Sequence, residues 1–354
     1  MGTPFRYNQT LSPNARSLDD VAEASFVEMP SQRGIPCVDM YGDLPFGSFV
    51  IPDAIISGNA GVIHTKDRTP ILEQNAGLLR KGEFILGKPQ RAPVQNTPAK
   101  EVESLLSLVS CCHHYFWHWM MDSMPKVLIA EACGFKGSYL LPPQSVAPWA
   151  SESMELLRIE SARLRFHGGE EIRAEELFVP TFFCGFNSHH NIPFMREYRG
   201  YILSNVGATK SIRNGRIFVA RRSSVKTRRV LNQTRVEEIL SPYGFRTVYF
   251  EALSLKDQVA LASQTEAMVA PHGSGLVHSL CMPERSSLIE LFPCRRQLSC
   301  DCYEMVARVP GHRYRALVGD IDRLGDIEVN EEALRAACND LFTERLEHRS
   351  VLNG

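Results

Sequence analysis

Short apolar runs recur through the second half of the chain, separated by amphipathic stretches. Arg216-Ile-Phe-Val-Ala220, Phe245 to Phe250, Ala267-Met-Val-Ala270 and Ser287-Leu-Ile-Glu-Leu-Phe292 each read as a strand. Between them, Val236, Ile239 and Leu240 recur at helical spacing within Thr234 to Leu240, and Gly244 supplies a stop signal. Ser254 predicts a helix cap, with Asp257 at the capping-box offset and Leu255, Val259, Leu261 and Ala262 following. Gly273 to Leu280 predicts a short helix. Strands alternating with helices at this spacing predict a parallel, doubly wound sheet.

The first half is less regular. Phe49 to Ser57 and Gly61 to His64 predict strands around a Gly58-Asn59 turn. Glu103 to Cys133 carries two helical patterns, with Pro125 opening the second or kinking a continuous one. Tyr139-Leu-Leu141 and Leu177-Phe-Val179 predict strands, separated by a helix over Ala150 to Leu157. This suggests a second α/β domain, giving an N-terminal domain over 1–205 and a C-terminal one over 206–325. The remainder, 326–354, holds a last helix from Glu331 to Glu347 with Leu334, Cys338, Leu341 and Leu346 near one face.

Composition narrows the class. The chain has 354 residues, enough for two domains, and its 44% hydrophobic content excludes a disordered polymer. With 39 Lys+Arg against 40 Asp+Glu it lacks the positive surplus of a general nucleic-acid binder, so no nucleic-acid partner is expected. Ser104 to Met121 and Ala267 to Pro283 contain no Asp, Glu, Lys or Arg, but histidine, proline and glycine interrupt them. They predict buried parts of a soluble fold rather than membrane spans. The polar stretch Met1 to Asp20 shows no signal-peptide pattern, and ten cysteines without paired CxxC motifs agree with a reducing, cytoplasmic location. Cys294, Cys300 and Cys302 form a loose cluster that offers at most three of the four ligands a structural zinc requires.

Three clusters carry chemistry. Pro271-His-Gly-Ser-Gly-Leu276 lies between a strand and a helix, where small residues admit an anion to backbone N–H groups. It reads as a diphosphate seat or as an ordinary glycine-dependent turn. Arg221, Arg222, Lys226, Arg228 and Arg229 fall within nine positions just past a strand end, as a second wall for that anion or as a solvated basic loop. In His114-Tyr-Phe-Trp-His118-Trp-Met-Met-Asp122, the residues His114, His118 and Asp122 are four apart and would share a helix face. That pattern suits a general base, a metal site, or a buried structural pair.

These pieces, in this order, resemble glycosyltransferase family 61, a group that includes plant xylosyl- and arabinosyltransferases, animal O-linked N-acetylglucosaminyltransferases and bacterial polysaccharide-synthesis proteins. The matching residues are Arg228, Arg229 and Asn232, then Gly244-Phe245, Glu251, Ser254 and Gln258, His272-Gly-Ser-Gly-Leu276 and Ile289-Glu290-Leu291, with His118…Asp122-Ser-Met-Pro125 in the first half. Ser274 stands where alanine is usual, Met124 where leucine is commoner, and His278 where asparagine is.

The resemblance implies a GT-B-like architecture, two Rossmann-like α/β domains facing each other across a cleft, with the last helix returning to the first. It also implies inverting transfer of a sugar from a nucleotide diphosphate sugar, UDP-linked as the first choice, to a glycan, polysaccharide or other hydroxyl acceptor. A soluble, bacterial-type member is expected, with no cofactor or metal, peripheral membrane association left open and the oligomeric state undetermined. Asp122 and His118 would be the catalytic pair, Asp122 the base. Arg221, Arg228, Asn232, His272, Gly273, Ser274, Gly275 and Glu290 would hold the donor, Glu290 through ribose hydroxyls. His114 and Trp117 would line the acceptor side. The alternatives are a metal-dependent hydrolase built on His114, His118 and Asp122, and a non-catalytic nucleotide-sugar-binding protein.

Overall fold

A computed structural model describes residues 21, 23–33, 36–39, 42–71, 79–80, 83–84, 100–110, 112–181, 191–208, 215–222, 227–295, 298, 300–320 and 325–352. The chain divides into two units, Met1–Phe194 and Met195–Gly354.

The first unit is organised by β1 (Ser25–Glu28), β2 (Gly47–Ser57), β3 (Val62–His64), β4 (Lys100–Ser107), β5 (Ser138–Leu141), β6 (Leu164–Phe166) and β7 (Ile172–Pro180). Their order is β1-β2-β7-β4-β5-β6, with β3 on the other strand of the β2 hairpin. Strands β7, β4, β5 and β6 run parallel, whereas β1, β3 and β7 all pair antiparallel with β2. The sheet is therefore mixed and departs from a Rossmann-like one. One antiparallel pairing has a local cause: Gly58 and Gly61, at φ of 68° and 62°, turn the chain straight back along β2, so β3 follows with no crossover helix. Two short antiparallel ladders, Pro36–Asp39 with Gly42–Pro45 and Leu79–Arg80 with Glu83–Phe84, lie outside this sheet.

One prediction fails here. The segment from Glu103 expected as a helix is strand β4, and helix begins only at Phe116. Strand β4 lies between β7 and β5, so Leu105, Leu106 and Ser107 are all buried and period-two alternation is lost. An apolar run buried on both faces does not distinguish strand from helix. The helical stretch then runs through Phe116–His118, a π-helical turn at Trp119–Ser123, and α1 (Met124–Ala132). In that turn the Met124 N–H reaches back five residues to the Trp119 carbonyl. Pro125 follows at the first turn of α1, lacking an N–H and crowding the carbonyl four residues before it, so the wider turn lets the helix continue past the proline. Buried Trp119 donates to Ser153 Oγ of α2 (Trp149–Leu156) at 2.7 Å and pins the turn in place.

The second unit follows the sequence prediction as far as Phe292 and adds a helix, Cys302–Arg308, and a strand, Arg313–Val318, that the sequence pattern did not predict. Its strands are β8 (Gly215–Val219), β9 (Phe245–Val248), β10 (Thr265–Pro271), β11 (Ser287–Phe292) and β12 (Arg313–Val318), all parallel and ordered β9-β8-β10-β11-β12. Its helices are α3 (Ile192–Asn205), which carries the chain in from the first unit, α4 (Gln233–Leu240), α5 (Leu255–Ala262), α6 (Cys302–Arg308) and α7 (Glu331–Leu352). Val236, Ile239 and Leu240 are buried against Phe218, Val269, Ile289 and Leu291, each contributing about 1.5–3 kcal/mol of apolar burial. Ser254 caps α5, its Oγ accepting from the Asp257 N–H at 3.2 Å, and Gly244 adopts the left-handed conformation expected of a stop. Leu334, Ala337, Cys338, Leu341 and Phe342 of α7 enter this same core. That is the packing of the helix which the resemblance would send back to the first domain. Among the described residues, no helix is long and apolar enough to cross a membrane.

Candidate functional site

Strand order decides where a ligand can sit in the second unit. From β8 the chain goes to β9 on one side and then to β10 on the other, so the two crossovers part between β8 and β10. Above the carboxyl ends of such a strand pair lies the crevice where open parallel sheets take their ligands. Arg221 follows β8 and His272-Gly273 follows β10, so both fall at this point.

Gly273 has φ 154° and ψ 174°, a conformation closed to side chains, and Ser274 then opens a 3₁₀ helix, Ser274–Cys281. A Cβ on Gly273 would stand 2.0 Å from Arg221 Nη2 and 3.5 Å from Arg228 Nη1. Glycine here is what lets two guanidinium groups approach the turn. Arg221 donates to the carbonyl oxygens of His272 and Thr227, both at 3.3 Å. Burial, helped by the charge of Arg228, lowers the Arg221 pKa to about 10. Arg228 is held at φ 59°, left-handed for a non-glycine residue, by its N–H to the Gly325 carbonyl at 3.1 Å. Among the described residues neither arginine has an ion-pair partner, so two like charges converge without a carboxylate between them. An anion there would relieve both the repulsion and the desolvation. Gly275 differs: a Cβ there would meet the Phe250 ring at 3.4 Å, so its smallness serves packing.

The rest of the basic run divides. Arg229 is committed to Asp326, with Nη2 to Oδ2 at 2.6 Å, and Arg222 lies over the Tyr249 ring at 6.0 Å with its N–H on Glu251. Lys226 lies outside the described residues. Asn232, expected at the donor, spends its amide on the protein, donating to the Val329 carbonyl at 2.8 Å and accepting from the Val329 N–H at 3.0 Å. Its role is to staple the basic loop to the segment before α7. The motif residue Gln258 likewise shapes a turn, donating to the carbonyls of Phe250 and Leu253. A cavity of about 670 Å³ opens beside Arg221, with Arg222, Gln233 and Tyr249 among its walls.

Glu290 requires a correction. It is fully buried, with Oε1 2.5 Å from His272 Nδ1 and Oε2 accepting from Tyr314 at 2.7 Å, so it has no surface to offer a ribose. Register explains this: Glu290 pairs with Ala270 and Ala316 in the middle of the sheet, between β10 and β12. Its function is to position His272, which stacks on Phe292 at 4.9 Å. Burial raises the Glu290 pKa, against the opposing pull of His272 and Tyr314. Burial also works against a charged His272, but Cys300 and Glu290 outweigh it and hold the imidazole pKa above its ordinary value. Tyr314 and Cys300 carried no motif and were invisible to sequence reasoning in this role. His278 is wholly buried, and burial lowers its pKa to about 3, so it is neutral at physiological pH.

In the first unit, His118 Nδ1 and Asp122 Oδ2 are 2.6 Å apart across the π turn. Asp122 Oδ1 is buried and has no hydrogen-bond partner among the described residues. His114 does not join them. It precedes the helix, is exposed, and packs on Tyr115 with ring centroids 4.0 Å apart; Trp117 is half-buried. The expected three-residue face is thus a two-residue pair. Among the described residues, no three His, Cys, Asp or Glu side chains converge as metal ligands, the cluster of Cys294, Cys300 and Cys302 included. The sequence also contains one Asp-x-Asp run, Asp320-Ile-Asp322, a pattern able to hold a metal diphosphate. Of it only Asp320 is described, accepting from Asn330 Nδ2 at 2.7 Å.

Residues 116–289 match the family described as Glycosyltransferase 61. The EGF domain-specific O-linked N-acetylglucosamine transferase of Drosophila melanogaster is 34% identical over 104 residues, covering 28% of this chain and 18% of that protein. Its namesakes from Mus musculus and Canis lupus familiaris are 27% and 26% identical over 131 residues, 35% of this chain and 24% of theirs. The chain therefore spans less than a quarter of the length of these relatives. The matched stretch, just under half of the chain, runs from the helix bearing His118 and Asp122 to the strand bearing Glu290, and over that stretch the chain is similar to glycosyltransferase family 61.

Proposed function

We propose that this chain is an inverting, metal-independent glycosyltransferase that moves a sugar from a UDP-sugar to a hydroxyl of a glycan, polysaccharide or protein-linked acceptor. The carrying observation is the convergence of unpaired Arg221 and Arg228 on Gly273 at the point where the parallel sheet's crossovers part. Two guanidinium groups and the N–H groups at the start of the Ser274 helix suit a diphosphate whose charge grows as the glycosidic bond breaks. The cavity beside Arg221, walled by Tyr249 and Arg222, would take the nucleoside. The acceptor's proton requires a base. Asp122 is the first candidate, because His118 engages Oδ2 while Oδ1 accepts no hydrogen bond among the described residues. A GT-B-like arrangement is part of this proposal, since the base and the donor arginines belong to different units.

Calorimetric titration with UDP and a transfer assay with UDP-N-acetylglucosamine, the donor suggested by the names of the relatives, test the reading. Micromolar UDP binding that Arg228→Ala weakens, with uridine binding spared, is expected. Equal weakening of UDP and uridine would remove the phosphate role. Transfer or donor hydrolysis should persist in EDTA. Loss restored by one divalent metal would overturn metal independence and direct attention to Asp320-Ile-Asp322.

A further inference from the structure

Cys300 and Cys302 flank Asp301 at the start of α6, with their sulfurs 3.4 Å apart. A disulfide needs about 2.05 Å, so closure asks the two sulfurs to move together by little more than 1 Å. Both side chains are half-buried, as is Cys133, whereas Cys112, Cys281, Cys294 and Cys338 are buried; among the described cysteines only Cys300 and Cys302 have their sulfurs in contact. Cys300 also lies close enough to His272 for each to stabilise the other's charged form. His272 is in turn fixed by Glu290 and Tyr314, so the imidazole beside Cys300 is held by a buried carboxylate.

We propose that Cys300 and Cys302 form a redox-active dithiol oxidised by hydroperoxides, Cys300 attacking and Cys302 resolving. The Cys300 thiolate attacks the outer oxygen of the hydroperoxide, the O–O bond breaks, and the departing oxygen takes a proton and leaves as an alcohol or water. Cys302 then attacks the sulfenic sulfur of Cys300. The S–O bond breaks, and hydroxide leaves as water with the Cys302 proton. The sum is a dithiol and a hydroperoxide giving a disulfide, an alcohol and water. The division of labour follows from the pair's asymmetry. Cys300 has the His272 imidazole beside it as well as the Cys302 contact, so its thiolate is stabilised against the cost of burial and its pKa lowered, while the same contact raises that of Cys302. The inference is independent of sugar transfer, because thiol chemistry is read without an activity assay.

The test uses the full reduced chain and hydrogen peroxide, followed by mass spectrometry of the peptide that holds both cysteines. The expected result is a loss of about 2 Da, reversed by a thiol reductant, with the other cysteines still open to alkylation. C302S should accumulate a sulfenic acid at Cys300 that dimedone traps, and C300S should form no disulfide. At pH 5, Cys300 should alkylate roughly tenfold or more faster than an ordinary thiol, its thiolate fraction outweighing its lower nucleophilicity. Disulfide elsewhere, no trapped adduct in C302S, or Cys300 labelling at the rate of the chain's other thiols would each overturn the proposal.

Discussion

Among the described residues two histidine–carboxylate pairs stand out, and their carboxylates have different hydrogen-bond capacity left. His118 and Asp122 are four residues apart on one distorted helix, 2.6 Å between Nδ1 and Oδ2. His272 and Glu290 are 18 residues apart on neighbouring strands, 2.5 Å between Nδ1 and Oε1. The chemical pair is the same, but the carboxylates differ. Both oxygens of Glu290 are occupied and its side chain is 0% exposed. Asp122 is 20% exposed and keeps one oxygen without a protein partner. A carboxylate saturated inside a sheet can only position its neighbour. One whose second oxygen takes no hydrogen bond from the described residues keeps capacity to accept a proton. The comparison teaches that two pairs of the same chemical identity can differ in the hydrogen-bond capacity their surroundings leave them.

The sharpest way to break this contrast is to delete each carboxylate. Glu290→Ala leaves His272 and Tyr314 without their buried partner, and should cost about 3–5 kcal/mol of stability in urea unfolding. Asp122→Asn should cost far less stability yet reduce sugar transfer by about two orders of magnitude, with UDP affinity unchanged. If His118→Ala proves the more damaging of the two to turnover, and the pH profile of Asp122→Asn breaks near 6.5, the base is the imidazole. Equal wild-type turnover in both folded variants would make the pair structural.

Smaller effects sharpen the second region. Arg228→Ala removes one charge-assisted contact worth roughly 1.5–3 kcal/mol, so UDP binding should weaken about tenfold or more in calorimetry. Arg235→Ala is the control. Its guanidinium pairs with Glu331 and it is not part of the cavity wall, so UDP affinity should change by less than about threefold.

The last effect is a pH dependence at His278. Its folded pKa is depressed by burial to about 3 against an ordinary 6.5, so the unfolded chain binds more protons between those values. The stability this contributes is present above pH 6.5 and is lost as pH falls toward 3. His278→Asn should therefore lose less stability than the wild type between pH 7 and pH 5 in paired urea titrations. Identical acid losses would show that His278 does not carry that limb.

The strand over Ser287–Phe292 was read with its observed bounds and the Ser254 cap as it stands, because bounded apolar runs and capping residues are local signals. Strand β4 was read as helix, since burial on both faces erases the period that distinguishes them. The glycine turn and the basic run were recognised as candidates, but which arginines reach the turn was not. Arg228 and Arg229 are adjacent in sequence, and only the left-handed backbone at Arg228 sends one toward Gly273 while the other pairs with Asp326.

Sequence alone determined the alternation of strands and helices in the second half, the glycine turn after β10, the His118–Asp122 spacing and the resemblance to glycosyltransferase family 61. These depend on residues within a few positions of one another, where backbone geometry leaves few choices. Tertiary structure alone decided the strand order that brings Arg221 to Gly273, the saturation of Glu290 by Tyr314 across 24 residues, the commitment of Asn232 to Val329 across 97, and the meeting of Cys300 with His272. The reason is physical. A side chain's capacity for chemistry is what remains after its neighbours in space have taken their hydrogen bonds, and those neighbours come from distant parts of the chain.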